Sequence, residues 1–266
     1  MDTAIYGIPA CLLYLASVGV QLTGLRRDIH NQHLLVTGLA LGAIVMHGLF
    51  SLNEIITARG INLGLLPMAS VITLAISAIL IASSLRRRVA NLMIAIFPLA
   101  IITILATLAT KNDYMPRQHL PGGILGHIIL SVIAYGLLAI AALQAILLSF
   151  GDYELKHRKF GLLRHLPPLQ TMESLMFELL WSGLTFLTLS IASGFIFLDN
   201  IRDPGLIHHT TITLAAWLVF AILLWGRHQL GWRGATASRW TLSGFALLLV
   251  GYFGSKLVLE IILTSP

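Results

Sequence analysis

The stretch Ile124–Phe150 reads ILGHIILSVIAYGLLAIAALQAILLSF and contains no aspartate, glutamate, lysine or arginine. A helix needs about 20 apolar residues to cross the hydrocarbon core of a bilayer. Leucine, isoleucine and alanine fill the stretch, and polar and apolar residues do not alternate along it. The stretch therefore predicts a membrane-spanning helix rather than a strand of a β-barrel.

Similar apolar stretches recur along the whole chain. The eight predicted spans are residues 4–23, 34–52, 62–84, 90–109, 124–150, 176–198, 208–226 and 241–264. The 266 residues are 57% hydrophobic and 11% charged, whereas soluble domains carry about 25% charged residues. This composition excludes a soluble enzyme, a disordered chain and a disulfide-stapled secreted domain. We predict an all-α integral membrane bundle that forms a single polytopic domain over residues 1–266, in contact with the lipid bilayer.

Basic residues are distributed unequally between alternate loops. The loops after the first, third, fifth and seventh spans hold 12 lysines and arginines, and the intervening loops hold four. By the positive-inside rule the first set is cytoplasmic. Both termini are then predicted on the outer, periplasmic side of a bacterial inner membrane. The net charge of +6 is scattered over these short loops, so we predict no nucleic-acid partner.

The segment 169–180 leaves two interpretations open. Its apolar residues recur at spacings of three and four, which is typical of an amphipathic helix on the inner interface. The alternative is an early start of the sixth span.

Five of the ten histidines fall toward the predicted outer side. His47 lies in the second span, about one turn before its outer end. His119 is in the loop before the fifth span, His127 is in the first turn of that span, and His208 and His209 open the seventh. Imidazole is a common ligand of iron, and two imidazoles from separate helices can clamp a heme. The alternative is that these are amphipathic side chains at headgroup level.

Other ionisable or hydroxyl groups lie inside the fifth and last spans. His127, Ser131 and Tyr135 are spaced by four and share one helix face, which we expect to turn into the bundle. Lys256 and Glu260 are also four apart. They either neutralise each other, which we favour, or serve as an ion relay or an anchor for a heme propionate.

Several motifs follow one another in the C-terminal half. HIILSVIAYG starts at His127 and SGLTFLTLSIASG starts at Ser182. They are followed by Ala216-Trp217, by GWRG from Gly231 and by GYFG from Gly251. In this order, over residues 120–264, they resemble the cytochrome c assembly family of the CcsA/CcmC type. Within that family the sequence is most similar to the YpjD/HemX-like branch of small inner-membrane proteins.

The resemblance implies a heme-handling protein in which His127 is an outer-face heme ligand. The assembly members carry a tryptophan-rich segment before the position of Trp217. Here the interval that follows Gly194 has no tryptophan, and its aromatic residues are Phe195 and Phe197. We infer His208, His209 or His47 as a second axial ligand, because they lie at a depth in the membrane similar to that of His127.

Three functions are weighed on this basis. The first is a heme-binding or heme-handling membrane protein, with heme held near the outer face by histidines. The alternative is a non-heme accessory or regulatory subunit that partners another membrane protein, such as an ion transporter. A small-solute permease that uses Lys256, Glu260 and Tyr135 ranks third, because no inverted repeat is visible. No nucleophile–base pair or metal motif appears at useful spacing, so we predict that the protein is not an enzyme.

Overall fold

The computed structural model describes residues 3–24, 31–58, 60–84, 92–110, 121–157, 167–197 and 204–254, with side chains in the last range from residue 209 onward. Eight α-helices make up most of these residues. They are α1 (Ala4–Gly24), α2 (Gln32–Ile55), α3 (Leu65–Ser84), α4 (Met93–Ala109), α5 (Gly122–Lys156), α6 (Leu169–Phe197), α7 (Pro204–Gln229) and α8 (Gly234–Leu249). The prediction of an all-α integral membrane bundle is confirmed.

Within the described residues, six helices are long and apolar enough to cross a membrane by length and composition: α1, α2, α3, α5, α6 and α7. Helix α4 is apolar but has 17 residues. Helix α8 has 16 residues and continues as a five-residue π-helix, Val250–Gly254. It begins seven residues before the predicted eighth span, whose last residues lie outside the described part of the chain. The predicted orientation of the bundle stays a prediction.

The fifth and sixth helices both extend beyond the predicted spans. Helix α5 has 35 residues, which corresponds to about 52 Å of helix, whereas the hydrocarbon core is about 30 Å thick. Its ends therefore reach beyond the apolar layer. Helix α6 is continuous from Leu169, so the segment 169–180 is the early start of the sixth helix. The interfacial-helix interpretation is wrong.

A short hairpin joins α2 to α3. Its strands are β1 (Ile56–Thr57) and β2 (Gly60–Ile61), and they pair antiparallel. Gly60 has a φ of 128°, a region that glycine enters without steric cost. Strands of two residues carry no periodic signal, which explains why the sequence does not predict them.

The chain divides into two compact units, residues 1–120 and 121–266. In the first unit, α1 packs against α2 and α4, and α3 packs against the same two helices. The aromatic side chains of Tyr14, Phe50 and Phe97 are fully buried in this core. The Tyr14 and Phe97 rings lie 4.8 Å apart between centroids. The expected single domain over residues 1–266 stays a prediction.

The second unit is built on the antiparallel pair of α5 and α6, with α8 against α5 and α7. Gly183 on α6 lies against Leu138 on α5, and a Cβ at Gly183 would come within 2.7 Å of that leucine. Small residues allow membrane helices to approach this closely. Trp217 on α7 donates a hydrogen bond from its indole Nε1 to Thr188 Oγ1 on α6, at 2.8 Å. The α5–α6 seam also carries His127.

Candidate functional site

His127 is tied to the neighbouring helix through one ring nitrogen. Its Nδ1 lies 2.8 Å from the backbone oxygen of Ser190 and 3.2 Å from Ser193 Oγ, both on α6. A carbonyl oxygen only accepts hydrogen bonds, so Nδ1 carries the proton. In a neutral ring Nε2 then holds the free lone pair. No described residue forms a hydrogen bond with Nε2 of this half-buried side chain.

Hydroxyl groups close a ring of hydrogen bonds around this histidine. Ser131 Oγ donates to the His127 backbone oxygen at 2.8 Å, and it lies 2.6 Å from Ser190 Oγ. Because Ser131 has a single hydroxyl proton, the Ser190 hydroxyl is the donor in the second contact. Ser193 Oγ donates to the Ser190 carbonyl at 2.7 Å. We call Ser131, Ser190 and Ser193 the serine clasp.

The end of α5 next to His127 is lined by an aromatic ring and glycines. Phe197, the last residue of α6, lies so close to Gly123 that a Cβ there would collide with its ring. Gly123 is one turn before His127 on the same face. A Cβ at Gly122 or Gly126 would meet nothing within 4 Å. Phe197, one of the two aromatic residues that follow Gly194, is thus adjacent to the helix turn that carries His127.

Tyr135 and His209 meet in one aromatic cluster. The buried Tyr135 hydroxyl donates to the Leu248 backbone oxygen at 2.8 Å. Tyr252, in the π-helix, has its ring centroid 5.7 Å from Tyr135 and 6.1 Å from His209. The π-helix therefore places Tyr252 between α5 and α7, two turns along α5 from His127.

Three other predicted site residues lie partly or wholly outside the described part of the chain. His208 is the fifth residue of α7, so it does not open the helix as predicted, and its side chain is not described. Lys256 and Glu260 lie outside the described residues. Their roles stay predictions.

His127 is also two residues further into its helix than predicted. Helix α5 begins at Gly122, two residues before the predicted start. His127 is consequently in the second turn, because the apolar run starts only after the glycine pair Gly122-Gly123, which the helix includes.

His47 lies in the first unit with both ring nitrogens engaged. The Tyr14 hydroxyl is 3.2 Å from Nδ1 and Ser70 Oγ is 2.8 Å from Nε2. The side chain is 0% exposed. Helix α2 continues to Ile55, so His47 lies two turns before its end rather than one. No ring nitrogen of His47 is left for a ligand in this arrangement.

The described residues hold no group of three or more histidine, cysteine, aspartate or glutamate side chains that could bind a bare metal ion.

The sequence model described as "Cytochrome C assembly protein" matches residues 33–263. The chain belongs to the cytochrome c assembly protein family. This membership supports a heme-handling role, and the match reaches further toward the N-terminus than the motifs of residues 120–264.

Three relatives differ in how much of this chain they match. Inner membrane protein YpjD of Escherichia coli is 29% identical over 260 residues, which is 97% of this chain and 99% of that protein. Protein HemX of Brevibacillus brevis is 25% identical over 49% of each chain. Cytochrome c biogenesis protein CcsA of Chlamydomonas reinhardtii is 29% identical over 50% of this chain and 38% of its own. No solved structure matches.

The full-length likeness to an inner membrane protein agrees with the six helices that can span a bilayer. The chain is a multi-pass inner-membrane protein whose helices contact lipid. This confirms the predicted location.

Sequence reasoning missed the partners of the site. It identified His127 and Ser131 by spacing, but the acceptor of Nδ1 is a main-chain oxygen 63 residues away. Every residue has such an oxygen, so no sequence signal marks it.

Arg227 is among the 12 basic residues that the sequence places in the predicted cytoplasmic loops. It donates to Glu173 Oε1 at 2.9 Å and lies over the Phe177 ring at 4.5 Å.

Proposed function

We propose that this protein binds heme through His127, near the outer face of the inner membrane, and holds or transfers it without covalent chemistry of its own. Family membership supports the heme-handling role. The observation that carries the finer proposal is the bond from His127 Nδ1–H to the Ser190 carbonyl. Histidines that bind metals usually donate their other ring N–H to a carbonyl or carboxylate in this way.

The residues around His127 fit a heme better than a bare metal ion. A porphyrin supplies four nitrogen ligands to its iron, so the protein needs to add only one or two axial ligands. His127 supplies one such nitrogen on a half-buried side chain. When bound, the heme supplies the iron and its redox chemistry, while the chain fixes the axial imidazole between α5 and α6.

His208 is the first choice for a second axial ligand. It lies on α7, in the same unit as His127. The neighbouring His209 packs its ring edge-on against Tyr252, at an interplanar angle of 73°. His47 is the weakest choice because both its nitrogens are hydrogen-bonded.

Hemin titration of the purified protein tests the proposal. We expect a Soret band for the wild type, and its loss or shift in His127→Ala and His208→Ala. His157→Ala is a matched control, because the exposed His157, just after the end of α5, also bonds a carbonyl through Nδ1. That carbonyl belongs to Tyr153 of the preceding turn, at 2.8 Å, and not to another helix. A wild type without a Soret band, or a band unchanged by His127→Ala, overturns the proposal.

The predicted accessory subunit is the competing outcome. A protein that takes up no hemin and copurifies with a stoichiometric membrane partner would support that alternative.

Cysteine labelling tests the outer location of His127. Gly122 and Lys156 are exposed at opposite ends of α5, and the native Cys11 is buried. On intact spheroplasts, a membrane-impermeant maleimide should label Gly122→Cys. It should label Lys156→Cys only after the membrane is permeabilised. The reverse pattern would put His127 on the cytoplasmic side.

A further inference from the structure

The serine clasp joins α5 and α6 by a closed cycle of hydrogen bonds. The His127 ring donates to the Ser190 main chain, the Ser190 hydroxyl donates to Ser131, and the Ser131 hydroxyl donates to the His127 main chain. Each member is held by the other two. The cycle therefore holds Ser190, whose carbonyl accepts from Nδ1, in place relative to α5.

Ser193 adds a second restraint on the same nitrogen. Its hydroxyl proton is directed to the Ser190 carbonyl at 2.7 Å. Its oxygen can therefore act only as an acceptor toward Nδ1, from which it lies 3.2 Å. Both groups that face Nδ1 thus accept a hydrogen bond from it, and neither can donate one to it.

We propose that the serine clasp is a positioning device that fixes His127 in the Nδ1–H tautomer, so that Nε2 is the nitrogen left for an axial bond. The statement about the tautomer concerns the protein without heme. The statement about the axial bond rests on the proposed function. Ser131, Ser190 and Ser193 act through His127 and are positioning residues.

The alternative is that these hydroxyls only pack α5 against α6. Ser149 allows the packing role to be distinguished from the positioning role. It lies on the same helix and is partly buried, but its hydroxyl donates only to Ala145 of α5 itself, at 2.8 Å. Ser149→Ala thus removes a hydroxyl from α5 without touching His127. Ser131→Thr is the conservative variant, because it keeps the hydroxyl.

The first measurement is nitrogen-15 NMR of the heme-free protein labelled at histidine, with the His127 signal assigned by its loss in His127→Gln. We expect a protonated Nδ1 and a bare Nε2 in the wild type and in Ser149→Ala. The triple variant Ser131→Ala, Ser190→Ala and Ser193→Ala keeps the Ser190 carbonyl but loses the Ser193 acceptor and the hydroxyls that hold the carbonyl in place, so a minor Nε2–H population should appear beside the Nδ1–H form. A wild type in the Nε2–H form, or a triple variant identical to the wild type, overturns the proposal.

The second measurement is hemin affinity. Replacing groups that orient a metal ligand commonly weakens binding about 10- to 100-fold. We expect a loss of about tenfold in Ser131→Ala and in Ser193→Ala, and near wild-type affinity in Ser131→Thr and Ser149→Ala. Equal losses in Ser131→Ala and Ser149→Ala would show a packing role instead.

The two measurements separate the two proposals. If the wild type takes up no hemin, the proposed function fails, and the NMR result alone decides whether the clasp sets the tautomer. If hemin binds but the clasp variants keep wild-type affinity, the proposed function stands and the clasp proposal fails.

Discussion

His47 and His127 are both histidines on apolar helices, yet their hydrogen bonding differs. His47 is completely buried, with Tyr14 on Nδ1 and Ser70 on Nε2. His127 is half-buried, with two acceptors on Nδ1 and no described partner on Nε2. A ring whose two nitrogens are both satisfied is part of the packing. A ring tied at one nitrogen retains a lone pair for a ligand.

The first unit pairs several of its buried polar groups with one another across its four helices. Tyr14, His47 and Ser70 connect α1, α2 and α3, and Thr73 Oγ1 lies 2.8 Å from Thr103 Oγ1 on α4. Polar side chains in a bilayer are stabilised when they pair with one another. The contrast with His127 suggests four experiments that separate packing from binding.

The largest effect is expected for His127→Ala. Loss of the proposed axial ligand should weaken hemin binding by about 100-fold or more, which corresponds to about 2.7 kcal/mol. The free energy of unfolding should fall by about 0.5–1.5 kcal/mol, the usual net contribution of a hydrogen bond, because the half-buried side chain loses its bond to Ser190. Hemin titration and unfolding in detergent measure the two quantities. A large loss of stability with unchanged affinity would reverse the roles assigned to the two histidines.

The next effect is expected for His47→Ala. The substitution leaves the Tyr14 and Ser70 hydroxyls without their shared partner and opens a cavity in a fully buried site. The cost should be about 2–4 kcal/mol of unfolding free energy. The folded fraction should keep wild-type hemin affinity in the same titration. A loss of affinity in folded protein would instead show that His47 takes part in heme binding.

A smaller effect is expected for Gly183→Ala, in the seam of the second unit. The added methyl would collide with Leu138, and overpacking of this kind costs about 1–3 kcal/mol. Gly38→Ala on α2 is the matched control, since a Cβ there meets nothing within 4 Å. Thermal unfolding in detergent should show a lower midpoint for Gly183→Ala alone. Equal midpoints would mean that the seam can relax without cost.

The smallest effect is expected for Tyr14→Phe. The ring and its packing on Phe97 remain, and the hydroxyl with its hydrogen bond to His47 is lost, so stability should fall by about 0.5–1.5 kcal/mol. Tyr153→Phe, at an exposed tyrosine, is the control and should be neutral. If both variants unfold alike, the Tyr14 hydroxyl contributes nothing to the first unit.

Much of the fold could be predicted because membrane helices require long apolar stretches. Ile124–Phe150 falls within α5, although the helix extends to Gly122 and Lys156, because glycines and charged residues outside the apolar layer can still be helical. The start of α6 at Leu169 could not be decided, since an interfacial helix and a helix extension have the same period. The π-helix that carries Tyr252 has no sequence signature of its own.

The candidate site was predicted in part. The spacing of His127, Ser131 and Tyr135 correctly placed them on one face of a helix, and the motifs led to the family. The depth argument grouped His47 with His127, although they differ in burial and in free nitrogens.

The sequence by itself determined the environment of this protein, because 28 charged residues among 266 cannot cover a soluble surface. It also determined the helices and the family, since apolar length and ordered motifs are properties of the chain. Only the tertiary structure decided which nitrogen of each histidine is occupied. The partners of His127 and His47 come from other helices, and the acceptor on Ser190 is a backbone oxygen that every residue possesses.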